Sequence, residues 1–178
     1  MLDPFDPLEY NYSHQLDGAT LVGGAGRLKR LRFISERFDP ASLYWLQDGH
    51  MSHRYISEAV ECYLAGQFLG AALLAFGFLE RTIAARLHHL GQSGDAKKRS
   101  EELFALARDY NWITPQEFST LEGLRQSRNP LVHFKEPLSE RRPEIQALLS
   151  AKTTAEHLES ISRDTLQAAI NVLNSTAL

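Results

Sequence analysis

Little in this chain announces its chemistry at once. Cysteine occurs a single time in 178 residues, at Cys62. One thiol excludes an intramolecular disulfide and a paired-cysteine metal knuckle. Cys62 falls within an apolar helical pattern, so a small buried hydrophobe is its expected role. There is no large charge excess either: 19 Lys and Arg against 22 Asp and Glu leave a net charge of −3. Broad, sequence-independent coating of nucleic acid needs a basic face, which this balance does not provide. An enzyme that touches a few phosphates is still allowed.

Long apolar runs are also missing. The longest, Leu69 to Leu79, is too short to span a bilayer. The start, Met1-Leu2-Asp3-Pro4-Phe5-Asp6, is acidic and lacks the basic region and apolar core of a secretory signal. These absences predict a cytoplasmic protein with no membrane association. His50 and His53 could share a helix face, but no third ligand lies nearby in sequence. No metal and no cofactor are therefore expected. The Gly23 to Gly26 cluster after Thr20-Leu21-Val22 lacks the spacing of either common phosphate loop.

What the sequence does hold is helical periodicity and ordinary globular composition, 43% hydrophobic and 23% charged. The length suits one domain with one core. Residues 1–51 carry Pro4, Pro7, Gly18, Gly23, Gly24, Gly26 and Pro40, which break any long element. They are expected to form an irregular N-terminal extension packing on the main body, with a short basic helix over Leu28 to Phe38. Residues 52–178 are expected to form a helical domain.

Within that domain Ile56, Ala59, Val60, Tyr63 and Leu64 recur at steps of three and four. Leu69, Leu73, Phe76, Glu80, Ile83, Leu87 and Leu90 continue the pattern until Gly91 stops it. Ser100 opens a third helix through about Tyr110. Thr114-Pro115-Gln116-Glu117 is a strong helix start, with a capping threonine, proline in the first turn and a glutamate that can reach back. That helix is expected to end near Ser127 or Arg128, because Asn129-Pro130 should break or kink it. A short helix or turn is expected over Glu140 to Ser150, and a last helix from Thr153 or Thr154 to about Asn174. No stretch reads as a strand pair. The fold class is all-α, an up-and-down helical bundle.

Basic residues cluster locally at Arg27, Lys29, Arg30 and Arg32, at Lys97 to Arg99, and at Arg141-Arg142. Each cluster taken alone reads as a solvated helix face or loop. His88-His89 sits at a helix C-terminus, where histidine interacts well with the dipole. Tyr44-Trp45 and Trp112 read as packing residues.

The segment that concentrates chemistry is Arg128-Asn129-Pro130-Leu131-Val132-His133. Arginine supplies a fixed charge and a forked donor that fits a phosphate. Histidine can accept and donate protons near neutral pH. Asn129 either caps a helix restarting at Pro130 or turns its amide to a ligand. Upstream, Glu80 interrupts an apolar stripe, where a carboxylate is costly unless paired. Arg128 ends the stripe of Leu121 and Leu124, so a Glu80–Arg128 pair would satisfy both; otherwise Glu80 lies at the seam edge and reaches water. Arg125 joins Glu80 as a candidate supporting or substrate-binding residue.

Arg128-Asn129 with His133 resembles the RNxxxH form of the Rx4–6H motif of HEPN domains (higher eukaryotes and prokaryotes nucleotide-binding). Residues 58–80, from Glu58-Ala59 through Gly66-Gln67 to Leu79-Glu80, are similar to the first helix pair of that family. The resemblance covers about Ser52 to Thr176. It implies an α-helical up-and-down bundle, often a homodimer. It also implies a metal-independent endoribonuclease with Arg128 and His133 as the catalytic pair, meeting those of a second copy in a composite cleft, and Asn129 orienting the site. RNA would be the substrate, and an antitoxin or other regulatory protein the partner. The same resemblance admits a non-catalytic binding module or a nucleotide-sensing regulator. Pro130 is an unusual residue for the variable part of the motif, and it stiffens the turn.

Overall fold

In the computed structural model, residues 24–38 and 46–175 are described. They fold as α1 (Gly24–Ser35), α2 (His50–Leu64), α3 (Phe68–His89), a 3-10 turn (Asp95–Lys97), α4 (Ser100–Asp109), α5 (Pro115–Val132), α6 (Pro143–Leu149) and α7 (Thr154–Asn174). No strand occurs among the described residues, so the protein is an all-α helical bundle. Tyr44, Trp45 and the segment Thr20 to Gly23 lie outside the described residues.

The bundle is built around α3, because α3 is apolar on more than one face. Ala71, Ala72, Ala75, Phe76, Phe78, Leu79, Ile83 and Leu87 are all buried on this one helix. A helix of that kind must be covered on several sides. α2 and α7 pack most extensively on it, and α4, α5 and the 3-10 turn also touch it. Small side chains bring the helices close: Ala59 of α2, Ala71 and Ala75 of α3, and Ala169 of α7 are fully buried. By length and composition alone α3 could cross a membrane; nine of its 22 residues are buried within the bundle.

Gly77 makes a second close approach. A Cβ at this position would lie 2.5 Å from Cε1 of Tyr55 on α2. The Tyr55 ring in turn carries the Arg81 guanidinium at 5.4 Å. Asp48, just before α2, accepts two hydrogen bonds from Arg81, at 2.7 and 2.9 Å. Position 77 therefore needs a residue without a side chain so that α2 and α3 can be laced together.

Helix ends follow the sequence closely. Glu117 N–H donates to Thr114 Oγ1 at 3.2 Å, and Thr114 N–H donates to Glu117 Oε2 at 2.7 Å. Thr153 and Glu156 repeat the arrangement at α7. Gly91 ends α3 with φ +79°, where glycine carries no steric cost. α1 starts at Gly24 rather than Leu28, and its Leu31 and Ile34 are fully buried in the common core. Cys62 is only half-buried, and its thiol donates to Gln67 Oε1 at 3.6 Å. It lies at the edge of the core rather than inside it.

A second boundary differs from expectation, and it bears on the site. α5 does not end at Ser127 or Arg128; it runs unbroken through Pro130 to Val132. Pro130 lacks an N–H, so the Gln126 carbonyl loses its usual donor. That loss falls near the helix end, where the last carbonyls have no intrahelical donor in any case. Asn129 is consequently an interior helical residue and not the cap of a new helix. Its carbonyl accepts the His133 N–H at 3.0 Å, and the chain leaves the helix at His133 with φ −115° and ψ 133°.

Candidate functional site

The continuous helix decides where the motif residues point. Five helical steps from Arg128 to His133 turn through about 140°, so within one chain the two side chains leave α5 in different directions. Arg128 turns inward, its guanidinium 5.3 Å from the ring centroid of Phe76 on α3. Phe76 is buried and meets Phe104 of α4 edge-to-face at 5.7 Å. Arg128 therefore closes an aromatic pair at the α3–α4–α5 junction, a cation–π contact in a partly dry setting.

Glu80 lies one helical turn beyond Phe76, yet it makes no ion pair with Arg128 among the described residues. Its carboxylate accepts the Ser100 hydroxyl at the start of α4. The carboxylate on the apolar stripe is satisfied by a hydroxyl from a neighbouring helix, so Arg128 is free of that duty. Arg125 is held in place by Glu122, with Nη2 2.9 Å from Oε2, and approaches Glu101 at 3.5 Å. Its charge is largely matched.

Two hollows flank the end of α5. A cleft of about 530 Å³ opens between α5, α6 and α7, where Arg125, Asn129, Lys135, Arg141 and His157 contribute to its wall. A shallower groove of about 360 Å³ is lined by His133, Arg142, Glu144, Leu69, Val132 and Phe134. Pro130, Lys135 and Pro143 border both. Asn129 faces the cleft, His133 the groove, and Arg128 lines neither. The three motif residues thus stand on one helix end but do not converge within a single chain.

The hollows differ in charge. In the groove, Arg142 is paired with Glu144 at 2.9 Å; the Arg142 guanidinium beside it holds the Glu144 carboxyl below its usual range. The cleft has no carboxylate among the described residues that line it. His157 there is pulled below the ordinary histidine range, first by burial and then by the nearby Lys152 charge. Its imidazole is neutral at pH 7 and offers one donor and one acceptor.

Past His133 the chain exposes apolar side chains. Phe134 is 85% exposed and Leu138 87%. Lys135, His157 and Ser100 carry no motif signal that sequence reasoning could have used. Arg141-Arg142 is visible as a basic pair, but its division between two hollows is not.

No family model, curated protein or solved structure matches the chain.

Proposed function

We propose that the protein is a HEPN-like, metal-independent endoribonuclease that works as a homodimer, with His133 as the proton-transfer residue. The observation that carries this reading is the position of His133. It is an exposed histidine at the end of α5, ringed by exposed apolar side chains that a second copy would cover. Two copies joined there would bring two His133 imidazoles to one RNA strand. One takes the proton of a ribose 2′-hydroxyl as that oxygen attacks the adjacent phosphorus. The other protonates the departing 5′-oxygen, leaving a 2′,3′-cyclic phosphate and a free 5′-hydroxyl. Arg128 serves the same centre by stabilising charge on the phosphoryl oxygens, which requires it to leave Phe76 when RNA binds. Asn129 positions the end of α5. A toxin or defence effector restrained by an antitoxin or regulatory protein fits such an enzyme, because an unregulated ribonuclease harms its own cell.

The inward rotamer of Arg128 favours a second reading, a non-catalytic interaction module of the same fold in which the apolar end of α5 binds a protein. One experiment separates the two. Purified protein is incubated with total RNA in EDTA beside His133→Ala and Arg128→Ala. The nuclease reading expects cleavage by the parent and a loss of about 100-fold or more in the His133 variant, the size of a general acid–base contribution. Equal traces of cleavage in all three leave the interaction module.

A further inference from the structure

The cleft between α5, α6 and α7 contains a charge imbalance that the ribonuclease reading does not use. Lys135 and Arg141 both line it, and neither has an ion-pair partner among the described residues. The third cation, Arg125, is already held by Glu122 and Glu101. With no lining carboxylate, two free positive charges face one concavity. Such a wall focuses a positive field and attracts an anion.

The rest of the lining narrows the choice. The amides of Gln126 and Asn129 have no hydrogen-bond partner among the described residues, and His157 adds a neutral imidazole. Ile161, Pro130 and Pro143 supply a modest apolar floor. A lipid would need a far more apolar wall, and a bare ion would leave most of the volume and both amides unused. A phosphate monoester carries about two negative charges at neutral pH, matching two free cations. A hydroxylated body attached to it would use the amides and the imidazole.

We infer that this cleft binds a small phosphomonoester with a polar, sugar-like body, its phosphate held by Lys135 and Arg141. The proposed catalytic pair lies outside it, since neither Arg128 nor His133 lines the cleft, although Lys135 also borders the His133 groove and Asn129 lines the cleft. Ligand binding there stands or falls without reference to RNA cleavage.

The test is calorimetric titration of the full chain with ribose 5-phosphate, with ribose and inorganic phosphate as partial probes. Binding by ribose 5-phosphate should be saturable and tighter than by either part. The double variant Lys135→Gln/Arg141→Gln should weaken it by at least about tenfold, since two charge-assisted contacts are lost. Lys97→Gln, an exposed change of the same sign on the 3-10 turn, should leave it unchanged. The His157 ring protons, followed by NMR, should shift on ligand addition in the parent and not in the double variant. No saturation below about 10 mM, a range weaker than ordinary metabolite affinity, overturns the inference. Equal affinity for inorganic phosphate overturns it in favour of an ion site. An oligoribonucleotide that binds through Lys135 and Arg141, while ribose 5-phosphate does not, overturns it in favour of an RNA track. Because all three positions are solvent-accessible, melting temperatures of the variants should match the parent, so lost binding is not lost folding.

Discussion

The middle of α3 and the end of α5 treat large apolar side chains in opposite ways. Phe76, Phe78, Leu79 and Leu87 are each 1% exposed or less, whereas Phe134 and Leu138 are 85% and 87% exposed. The first region is closed by small residues that let helices meet. The second follows a helix whose last turn contains proline, and its Phe134 and Leu138 stand in the irregular segment before α6. Burial on this scale marks what holds the fold. Exposed aromatic and aliphatic groups beside a histidine mark what is available to a partner. The difference marks the first region as what holds the fold and leaves the second as the surface on which the proposed second copy would dock.

The sharpest way to break that assignment is to cut an aromatic from each region. Phe76→Ala removes a buried ring, its edge-to-face contact with Phe104 and the platform under Arg128. It should cost about 3–5 kcal/mol. Phe134→Ser should change monomer stability by no more than about 0.5 kcal/mol, yet weaken self-association if two copies meet there. Urea unfolding measures the first effect and sedimentation the second. Similar losses of stability in both variants would show that Phe134 is a core residue in solution and end the comparison.

The stable region was also the more legible one. The helical spacing that buries Phe76, Ile83 and Leu87, the stop at Gly91 and the threonine–glutamate caps at Thr114 and Thr153 report local rules, whereas Leu69 and Leu90 of the expected stripe are exposed and the buried face runs instead through Ala71, Ala75 and Leu79. The end of α5 was harder for a physical reason. Proline predicts a break where a helix has much to lose; at Pro130 the loss is one carbonyl's donor near a terminus, and α5 continues. The stripe placed Glu80 on an inward face without saying which helix faces it, so the choice of Ser100 over Arg128 depended on tertiary packing. Arg128, Asn129 and His133 are neighbours in sequence, but their directions depend on helix continuity. Once Pro130 stays inside α5, adjacency no longer means convergence.

Within the packed region a smaller effect is expected at Gly77. Alanine is favoured over glycine inside a helix by about 1 kcal/mol, so Gly77→Ala would stabilise α3 if nothing lay above it. A Cβ would instead meet Tyr55 at 2.5 Å, and overpacking of this kind costs about 1–3 kcal/mol. The ring must move, and its contact with Arg81 goes with it. A net loss of about 1 kcal/mol is expected, read as a lower urea midpoint. The double variant Gly77→Ala/Tyr55→Ala should be less sensitive to the added methyl than the parent is. A stabilised single variant would mean that α2 and α3 are less closely laced than the Tyr55 contact implies.

The smallest effect lies in the cleft beside α5 and depends on pH. Burial, aided by Lys152, lowers His157 below the ordinary histidine value of 6.5 in the folded chain. The unfolded chain therefore binds more protons as pH falls through about 6.5, and folding stability declines over that window. Above it the imidazole is neutral in both states and contributes no slope. The lowered carboxyls of Glu144 and Glu156 act elsewhere: their contribution is lost only as pH falls below the ordinary carboxylate value of 4.5. His157→Gln should thus flatten the stability profile between pH 7 and the carboxylate range while leaving the acid limb intact. Urea midpoints collected at closely spaced pH values test this. An unchanged slope in that window would mean that His157 is as well solvated in the folded chain as in the unfolded one, and that the cleft is wetter than its half-buried imidazole indicates. A flattened slope in the variant would mean that burial in the cleft disfavours the charged imidazole of His157 in the folded chain.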